Sequence, residues 1–574
     1  MEKIFKYFLA GLVLITVNLS NPEIYSKSFY KYSTSASFDS QQVALDGNNI
    51  KSYIANTGIF NRNIYQGLTP GFEWPKGSGS YAVSSSGLTI AANVNNQLLM
   101  SCGFYSGEYA PGHVINSGVP IAVTDTNFHL YKVKRGDNAN NNPDWLHWGS
   151  MVPYGAPYID VNNNGSYEPN VDTPGVKNAE QTIFLCMTDG FSAQHGPGIF
   201  GGGTAPLFNE VHLTAWCYNT SYLKDVQFFK WVIINKNTIA RNNTYISVVN
   251  DPDLGCAYDD FIGSDSARNL GYCYNGEPMD DFCDYRYPDV PPAVGFQWIY
   301  VEGITKLQLK SIVHFHNIYT LSAACEKEPQ GDPAGAYGYM KGLKRDLTPW
   351  VVPPGGNVSY VTKYLYSGDP ETGTGWCEET GNPSGSIWNC GGPTSYSGDL
   401  HTPNPYADRR IILSAGSDNL TMSPGDTQNV IYAQLIAQGT SYLNSVTKLK
   451  QLADSVKVFC NREFPIGIKQ ISNEVPLEFS LSQNYPNPFN PTTKIKFSIP
   501  NTSQGGATNI SLNIYDVLGR IVAALIPPLR GGQEGLLPGT YEVEWNASGY
   551  SSGVYYYSLQ TGSFLQTRKM ILIK

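Results

Sequence analysis

Long apolar runs, basic residues and metal-binding cysteine pairs are what this 574-residue chain has little of. Beyond residue 20 no stretch is long and apolar enough to cross a bilayer, so no transmembrane span is expected. Only 38 Lys and Arg stand against 47 Asp and Glu, a net charge of −9. Without a basic surface, neither nucleic acid nor anionic lipid is an expected partner. The 10 cysteines are scattered with no Cys-x-x-Cys pair, which excludes a zinc ribbon and a thioredoxin-type redox site. Neither a His-Glu-x-x-His zinc signature nor a phosphate-binding loop occurs. Gly549-Tyr550-Ser551-Ser552-Gly553 has the letters of a hydrolase nucleophile turn, but a strand pattern rather than a helix follows it. The stretch 196–201 has the letters of a dinucleotide fingerprint and opens no helix.

What the chain does hold is aromatic: 13% Phe, Trp and Tyr, led by 39 Tyr, together with 57 Gly. With charge at only 15%, that balance is the style of extracellular β proteins, where Tyr serves core and surface alike. Lys3 and Lys6 precede an apolar stretch over 8–17, an order that predicts a signal peptide within residues 1–28, cleaved somewhere in 20–28. An exported chain meets an oxidising compartment, where disulfides persist. Cys377 and Cys390 flank a Gly/Pro/Ser loop and form the expected bridge. Cys186 reads as a buried strand residue, and Cys256, Cys273 and Cys283 stay open between paired and free.

Residues 29–470 read as a β-rich body long enough for two or more packed units. Strand patterns recur at 50–60, 87–94, 97–103, 181–188, 211–218, 227–235, 244–249, 295–301, 307–317, 363–366, 410–415 and 430–438. The run at 227–235 is almost continuously apolar and belongs at the centre of a sheet. One amphipathic helix is expected near 441–459, where Leu443, Val446, Leu449, Ala453, Val456 and Phe459 recur every three or four residues. Trp74 beside Pro75 reads either as a loop anchor or as a platform for a sugar ring.

Two stretches of the body carry hard oxygen ligands. Asp160, Asn162 and Asn164 stand at positions 1, 3 and 5 of a loop, and Gly165 at position 6 allows a sharp turn. Ser166 then offers a carbonyl and Glu168 an acid at position 9, which is the front of an EF-hand-type calcium loop. Position 12 is Val171, with Asp172 one residue late, so the closing ligand arrives by a detour or from elsewhere. No helical pattern flanks the loop, so a bound calcium is expected to be structural; the alternative is an Asn/Gly turn that caps strands without metal. Asp251, Asp253, Asp259, Asp260 and Asp265 crowd one expected loop, where they repel one another unless a cation or main-chain amides neutralise them. They form a second candidate calcium site, the alternative being a solvated acidic loop. Asp253 and Asp260 are also a candidate pair for glycoside hydrolysis, though nothing in the sequence selects them. His314 and His316 share a strand face as a candidate metal pair, with no third ligand in view.

From residue 481 onward, alternation marks half-buried strands. Ile495, Phe497 and Ile499 share one face, as do Ile510, Leu512 and Ile514, then Tyr541, Val543 and Trp545; further runs cover 554–559 and 564–573. Short strands between Gly, Pro and Asn turns fit a small immunoglobulin-like sandwich over 481–574, reached by a linker at 471–480. Within it stand Asn487-Pro488-Phe489-Asn490-Pro491, then Asp516-Val517-Leu518-Gly519-Arg520, then Gly553-Val554-Tyr555, then a last run from Lys569 to Lys574. These four motifs, in this order, resemble the type A sorting domain of the type IX secretion system. The resemblance implies a Gram-negative bacterium of the Bacteroidetes type. It also implies two partners: an outer-membrane translocon that recognises the folded domain, and a sortase-like peptidase that removes it. The cargo would then be released or attached to lipopolysaccharide. The polar insertion at 501–509 and the loop at 527–538 depart from the family's pattern and are expected to lengthen loops without touching the strands.

The expected molecule is all-β, a multi-domain β-sandwich body with one amphipathic helix followed by an immunoglobulin-like β-sandwich. It is expected outside the cell, secreted or on the outer surface, after signal-peptide export to the periplasm. Its body is expected to be a calcium-stabilised binding or structural module rather than an enzyme. A secreted hydrolase acting on polysaccharide or protein, and a carbohydrate-binding adhesin, are the alternatives.

Overall fold

The structure, a computed structural model, describes residues 40–67, 69–115, 119–120, 126–162, 164–280, 283–303, 309–319, 324–352, 360–379, 408–463, 468–472, 476–501, 510–526, 539–547, 550–562 and 564–573. The segment expected to be a signal peptide, Cys390, Lys574, the insertion after residue 501 and the loop at 527–538 lie outside them. Strand makes up about 45% of the chain and helix about 10%, the all-β class.

Two large antiparallel sheets build the body. One runs in the order Gln42–Leu45, Ser52–Ala55, Ile59–Phe60, Ser85–Val94, Asn242–Asp251, Arg409–Gly416, Leu309–His316, with Gln97–Cys102 also paired to Ser85–Val94. The other runs Tyr131–Lys134, Gln181–Thr188, Asn209–Cys217, Val226–Asn235, Thr427–Ala437, Ala293–Gly303, Leu270–Asn275, Asp260–Asp265, with Ala110–Pro111 against Gln181–Thr188. Leu88, Ile90, Val248 and Leu413 from the first sheet meet Leu185, Phe229, Trp231 and Tyr432 from the second in one hydrophobic cluster. The two sheets therefore share the core between them, and further clusters pack on the outer face of the second sheet. A polar clasp crosses that core: Gln434 Nε2 donates to Gln227 at 2.8 Å and to Asn61 at 3.1 Å, while Ser52 donates to Gln227 at 2.7 Å. Each buried amide finds a partner, which is the condition for tolerating it there.

Strand Val226–Asn235 shows why an apolar run reads as central. Phe229, Trp231 and Ile233 face the shared core, and Val226 and Phe228 face a second cluster on the sheet's outer side. With both faces covered, alternation disappears from the sequence. The cover is helix Tyr442–Glu463, which buries Val446, Leu449, Ala453, Val456 and Phe459 against Trp216, Phe228 and Leu435. Ser441 Oγ accepts the Asn444 N–H at 3.1 Å and caps its first turn. Trp74 is a loop anchor: it is buried, and its Nε1 donates to Asp225 at 2.7 Å.

The C-terminal unit is a second sandwich of two four-stranded sheets. One runs Ile468–Ser472, Gly539–Asn546, Thr492–Ile499, Ser480–Leu481, and the other Ile521–Ile526, Ser511–Tyr515, Gly553–Thr561, Phe564–Leu572. Ile495, Phe497, Ile499, Leu512, Ile514, Tyr541, Val543 and Trp545 fill its core, as the alternation required. Its boundary differs from the expectation. Strand Ile468–Ser472 pairs with Gly539–Asn546, so the sandwich begins inside what reads as the end of the body, and part of the expected linker is an edge strand. Backbone pairing, which needs no side-chain pattern, is the reason the sequence does not announce it.

Candidate functional site

In the C-terminal sandwich the motifs are joined by hydrogen bonds. Phe489 donates its N–H to the Ile571 carbonyl at 2.9 Å and its own carbonyl accepts the Ile573 N–H at 2.9 Å. Asn487 Oδ1 accepts the Ile571 N–H at 2.9 Å, and the Lys569 carbonyl accepts from Asn487 and Gln483. Phe489 is buried with its ring 5.5 Å from that of Trp545, which Tyr555 meets edge-on at 5.4 Å. The Pro491 carbonyl accepts from Ala547, while Pro488 and Asn490 stay exposed. Asp516, Gly519 and Arg520 make a separate tight turn. Asp516 accepts the N–H groups of Leu518 and Arg520 and pairs with the Arg520 guanidinium at 2.7 Å, which holds its carboxyl below the usual range. Gly519 supplies φ +77°, a left-handed turn position that glycine takes without strain. Gly553 opens strand Gly553–Thr561. Asn484, absent from the motif as read in the sequence, is buried and bonds Thr493 and Tyr557.

The 160–172 loop springs from a two-strand stem, Tyr158–Ile159 against Thr173–Pro174. Asp160 accepts the N–H groups of Asn164 and Gly165, and Asn164 Oδ1 accepts that of Ser166. Glu168 Oε2 accepts from the side-chain amides of both Asn162 and Asn164, at 2.7 and 2.6 Å. Asp172 is buried and clamps the base, accepting from the Val161 and Glu168 N–H groups. Asp160, Asn162, Asn164 and Glu168 thus converge, while Asp172 spends its oxygens on the main chain.

The five acids of 251–265 do not share one loop. Asp251 ends strand Asn242–Asp251, and Asp260 and Asp265 bound strand Asp260–Asp265. Buried Asp251 accepts the Tyr105 hydroxyl at 2.5 Å and lies 3.1 Å from Arg410 Nε. Asp253 accepts from Ser84 and is pushed up to about 7, by burial first and then by the neighbouring Asp408. Asp260 takes the Leu254 N–H and is raised well above the carboxylate range by burial. Asp259 is buried beside it. Asp265 pairs with Arg268 at 2.6 Å, and Arg268 reaches Asp454 of the helix. The quintet therefore divides among the end of strand Asn242–Asp251, the start of strand Asp260–Asp265 and an ion pair at Asp265, with Asp253 still close enough to help raise Asp260.

Among the described residues, three groups of His, Cys, Asp or Glu bring one ligand atom each within 4.8 Å of the others: Cys186, Glu210 and His212; Asp251, Asp253 and Asp408; His314, His316 and Glu326. The 160–172 loop is not one of them, since amides make up much of its inner surface. Glu210 already accepts from His212 and from the Val114 N–H. Around the other two groups lies a dense set of buried charges that sequence reading missed. Arg409 pairs with Glu378 at 2.5 Å, Lys344 with Glu326 at 2.8 Å, and Arg410 with Asp251, Glu328 and Asp408. Burial pushes Glu378 up to about 7 and drives His314 and His316 well below the usual imidazole range. These groups come from separated segments, and only the adjacent Arg409-Arg410 and the His-x-His spacing hinted at them. Cys256 and Cys283 are bridged, with Cα atoms 5.3 Å apart, Cys273 is a buried thiol, and Cys325 is also half of a disulfide. Cys377, expected in a bridge, is a buried thiol pushed up to about 11.

No curated protein matches the chain. A solved polysaccharide lyase aligns at 9% identity over 81% of this chain and 46% of its own, with a TM-score of 0.16. The chain thus spans less than half of that lyase's length. A C-terminally truncated trimeric ectodomain of a C. elegans fusion protein aligns at 6% identity over 63% of this chain and 76% of its own, with a TM-score of 0.13. Overlays this loose carry no argument about fold or activity. Among the described residues no helix is long and apolar enough to cross a membrane. The model of the secretion system C-terminal sorting domain family matches residues 483–574. The strands and turns that close the Asn487–Pro491 segment onto the chain's last strand are therefore a type IX sorting domain, the signature of a protein exported to the cell exterior.

Proposed function

We propose that this chain is a type IX cargo whose terminal sandwich is read at the outer-membrane translocon and removed by a sortase-like peptidase, leaving the body outside the cell, released or held on lipopolysaccharide. The observation that supports this reading is the pairing of Phe489 with Ile571 and Ile573. Motifs from the two ends of the domain become neighbours only once it has folded, so a receptor that touches both reads folding as well as sequence.

We read the body as a binding or structural module rather than a hydrolase. The two acids that the sequence offered for catalysis are already engaged: Asp253 accepts from the Ser84 hydroxyl, and Asp260 accepts the Leu254 main-chain N–H. The 160–172 loop fits a structural calcium ion in this reading. Turning the Asn162 and Asn164 amides end for end would present oxygens beside Asp160 and Glu168; metal ligation would then replace the amide-to-carboxylate bonds and also the bonds that those two amide oxygens now accept from the Asn164 and Ser166 N–H groups. Ser166 would add its carbonyl, and Asp172 would hold the stem.

The export reading is tested by comparing the full chain with one ending at residue 467, expressed in a type IX-competent host. The truncated chain is expected to accumulate in the periplasm with its body resistant to protease. Equal yields of both chains outside the cell would overturn the reading.

A further inference from the structure

We propose that His314, His316 and Glu326 form a buried site for a divalent transition metal of the zinc class. Strand Leu309–His316 puts positions 314 and 316 on one face, and their ring centroids are 4.8 Å apart. The third ligand comes from the short turn Ala324–Glu326, which the chain folds back against that strand: His316 and Lys327 form a bridge, and the Glu328 N–H donates to the His316 carbonyl at 2.9 Å. One ligand atom from each of the three residues lies within 4.8 Å of the others. A carboxylate on a turn is invisible to any pattern search along the strand, which is why the pair looked incomplete in the sequence.

Burial is the second, independent observation. His314 is 0% exposed, Glu326 6% and His316 9%. Both ring nitrogens of His314 and Nδ1 of His316 have no hydrogen-bond partner. Buried polar atoms in folded proteins are nearly always paired, so orphaned nitrogens on two rings that each bring one ligand atom within 4.8 Å of a shared carboxylate call for a ligand. Trp350 and Tyr366 pack on His314, at ring distances of 5.3 and 5.5 Å, and fix its orientation.

Two imidazoles and one carboxylate are a nitrogen and oxygen set suited to zinc, cobalt or iron, and too nitrogen-rich for calcium or magnesium. Lys344, 2.8 Å from Glu326 Oε1, supplies the neutralising charge while no ion is bound. A divalent ion would displace that ammonium from the carboxylate and take over its role. The metal therefore competes with an internal cation, and removal of that cation favours it.

The test uses the full chain refolded from denaturant with either cobalt(II) or zinc(II), then dialysed. Elemental analysis should find one tightly held ion per chain, and the cobalt form should show the visible absorption of a four-coordinate nitrogen and oxygen set. His316→Gln and Glu326→Gln should each weaken cobalt binding about tenfold or more. Lys344→Met should tighten it and make thermal stability more dependent on metal. A double variant, Asp160→Asn with Asp253→Asn, removes both oxygen-rich candidates and should leave the cobalt band unchanged. A wild-type chain that refolds without taking up cobalt would overturn the proposal, as would a folded His316→Gln chain that binds cobalt as tightly as the wild type. Should the His316 variant fail to fold, a Lys344→Met chain that binds cobalt no better than wild type overturns it instead.

Discussion

Asn487 Oδ1 accepts the backbone N–H of Ile571 at 2.9 Å, so a side chain near the start of the sorting domain holds the strand that ends it. Two backbone bonds at Phe489 lie alongside, and the Phe489 ring fills the core beneath them. Replacing Phe489 by Ala is expected to cost about 3 to 5 kcal/mol of the terminal sandwich's stability, and Asn487→Ala about 1 kcal/mol. Hydrogen exchange of the terminal strand in the full chain measures both. If Phe489→Ala left exchange at Ile571 and Ile573 at the wild-type rate, the closure would not depend on this packing.

Calcium is expected to raise the melting temperature of the full chain and a chelator to lower it. With a dissociation constant of about 10⁻³ M, the usual extracellular range, roughly 10 mM calcium would stabilise by about 1.4 kcal/mol. Asp160→Asn combined with Glu168→Gln should abolish that increment, since these are the two carboxylates at the centre of the loop. A melting curve that calcium and chelator leave in place counts against the ion.

Acidification is expected to stabilise the body through Glu108. This buried carboxyl accepts the N–H groups of Cys102 and Gly203, yet burial still pushes it up to about 7, against an ordinary 4.5. Because the folded value is the higher one, the contribution is fully present below about 4.5 and is lost as pH rises through about 7. The span corresponds to about 3 kcal/mol. Urea midpoints at pH 5 and pH 8 should differ in the wild type, and the difference should shrink in Glu108→Gln.

Leu449 lies directly over Gly295, where an added Cβ would meet its methyl carbons at 3.0 and 3.2 Å. Leu449→Ala is expected to cost about 2 to 5 kcal/mol by opening a cavity under the helix. Gly295→Ala should destabilise the wild type by crowding, but cost less in the Leu449→Ala background, where the space exists. A double-mutant cycle on chemical denaturation reads this coupling, and strict additivity would show that the two positions are not in contact.

Much of the fold is legible in the letters where one face is dry and the other wet. The alternation at Ile495, Phe497 and Ile499 and the helical stripe from Val446 to Phe459 both reappear as buried faces. Strand Leu270–Asn275 and helix Pro333–Met340 were not legible. The first is buried along its whole length, and the second carries glycines at 335 and 338 where a helix signal needs apolar spacing. The 160–172 loop announced that Asp160, Asn162, Asn164 and Glu168 come together, because side chains within one turn need no distant partner.

By itself, then, the order of residues determined the strand-rich class, the covering helix and the sorting domain, all of which follow from local periods and short motifs. Only the tertiary structure decided that the body's two large sheets share the core between them, that Ile468–Ser472 joins the terminal sandwich, and that Glu326 completes the pair His314 and His316. Those outcomes depend on which segments become neighbours after folding, and proximity between segments separated along the chain leaves no period for a local reading to detect.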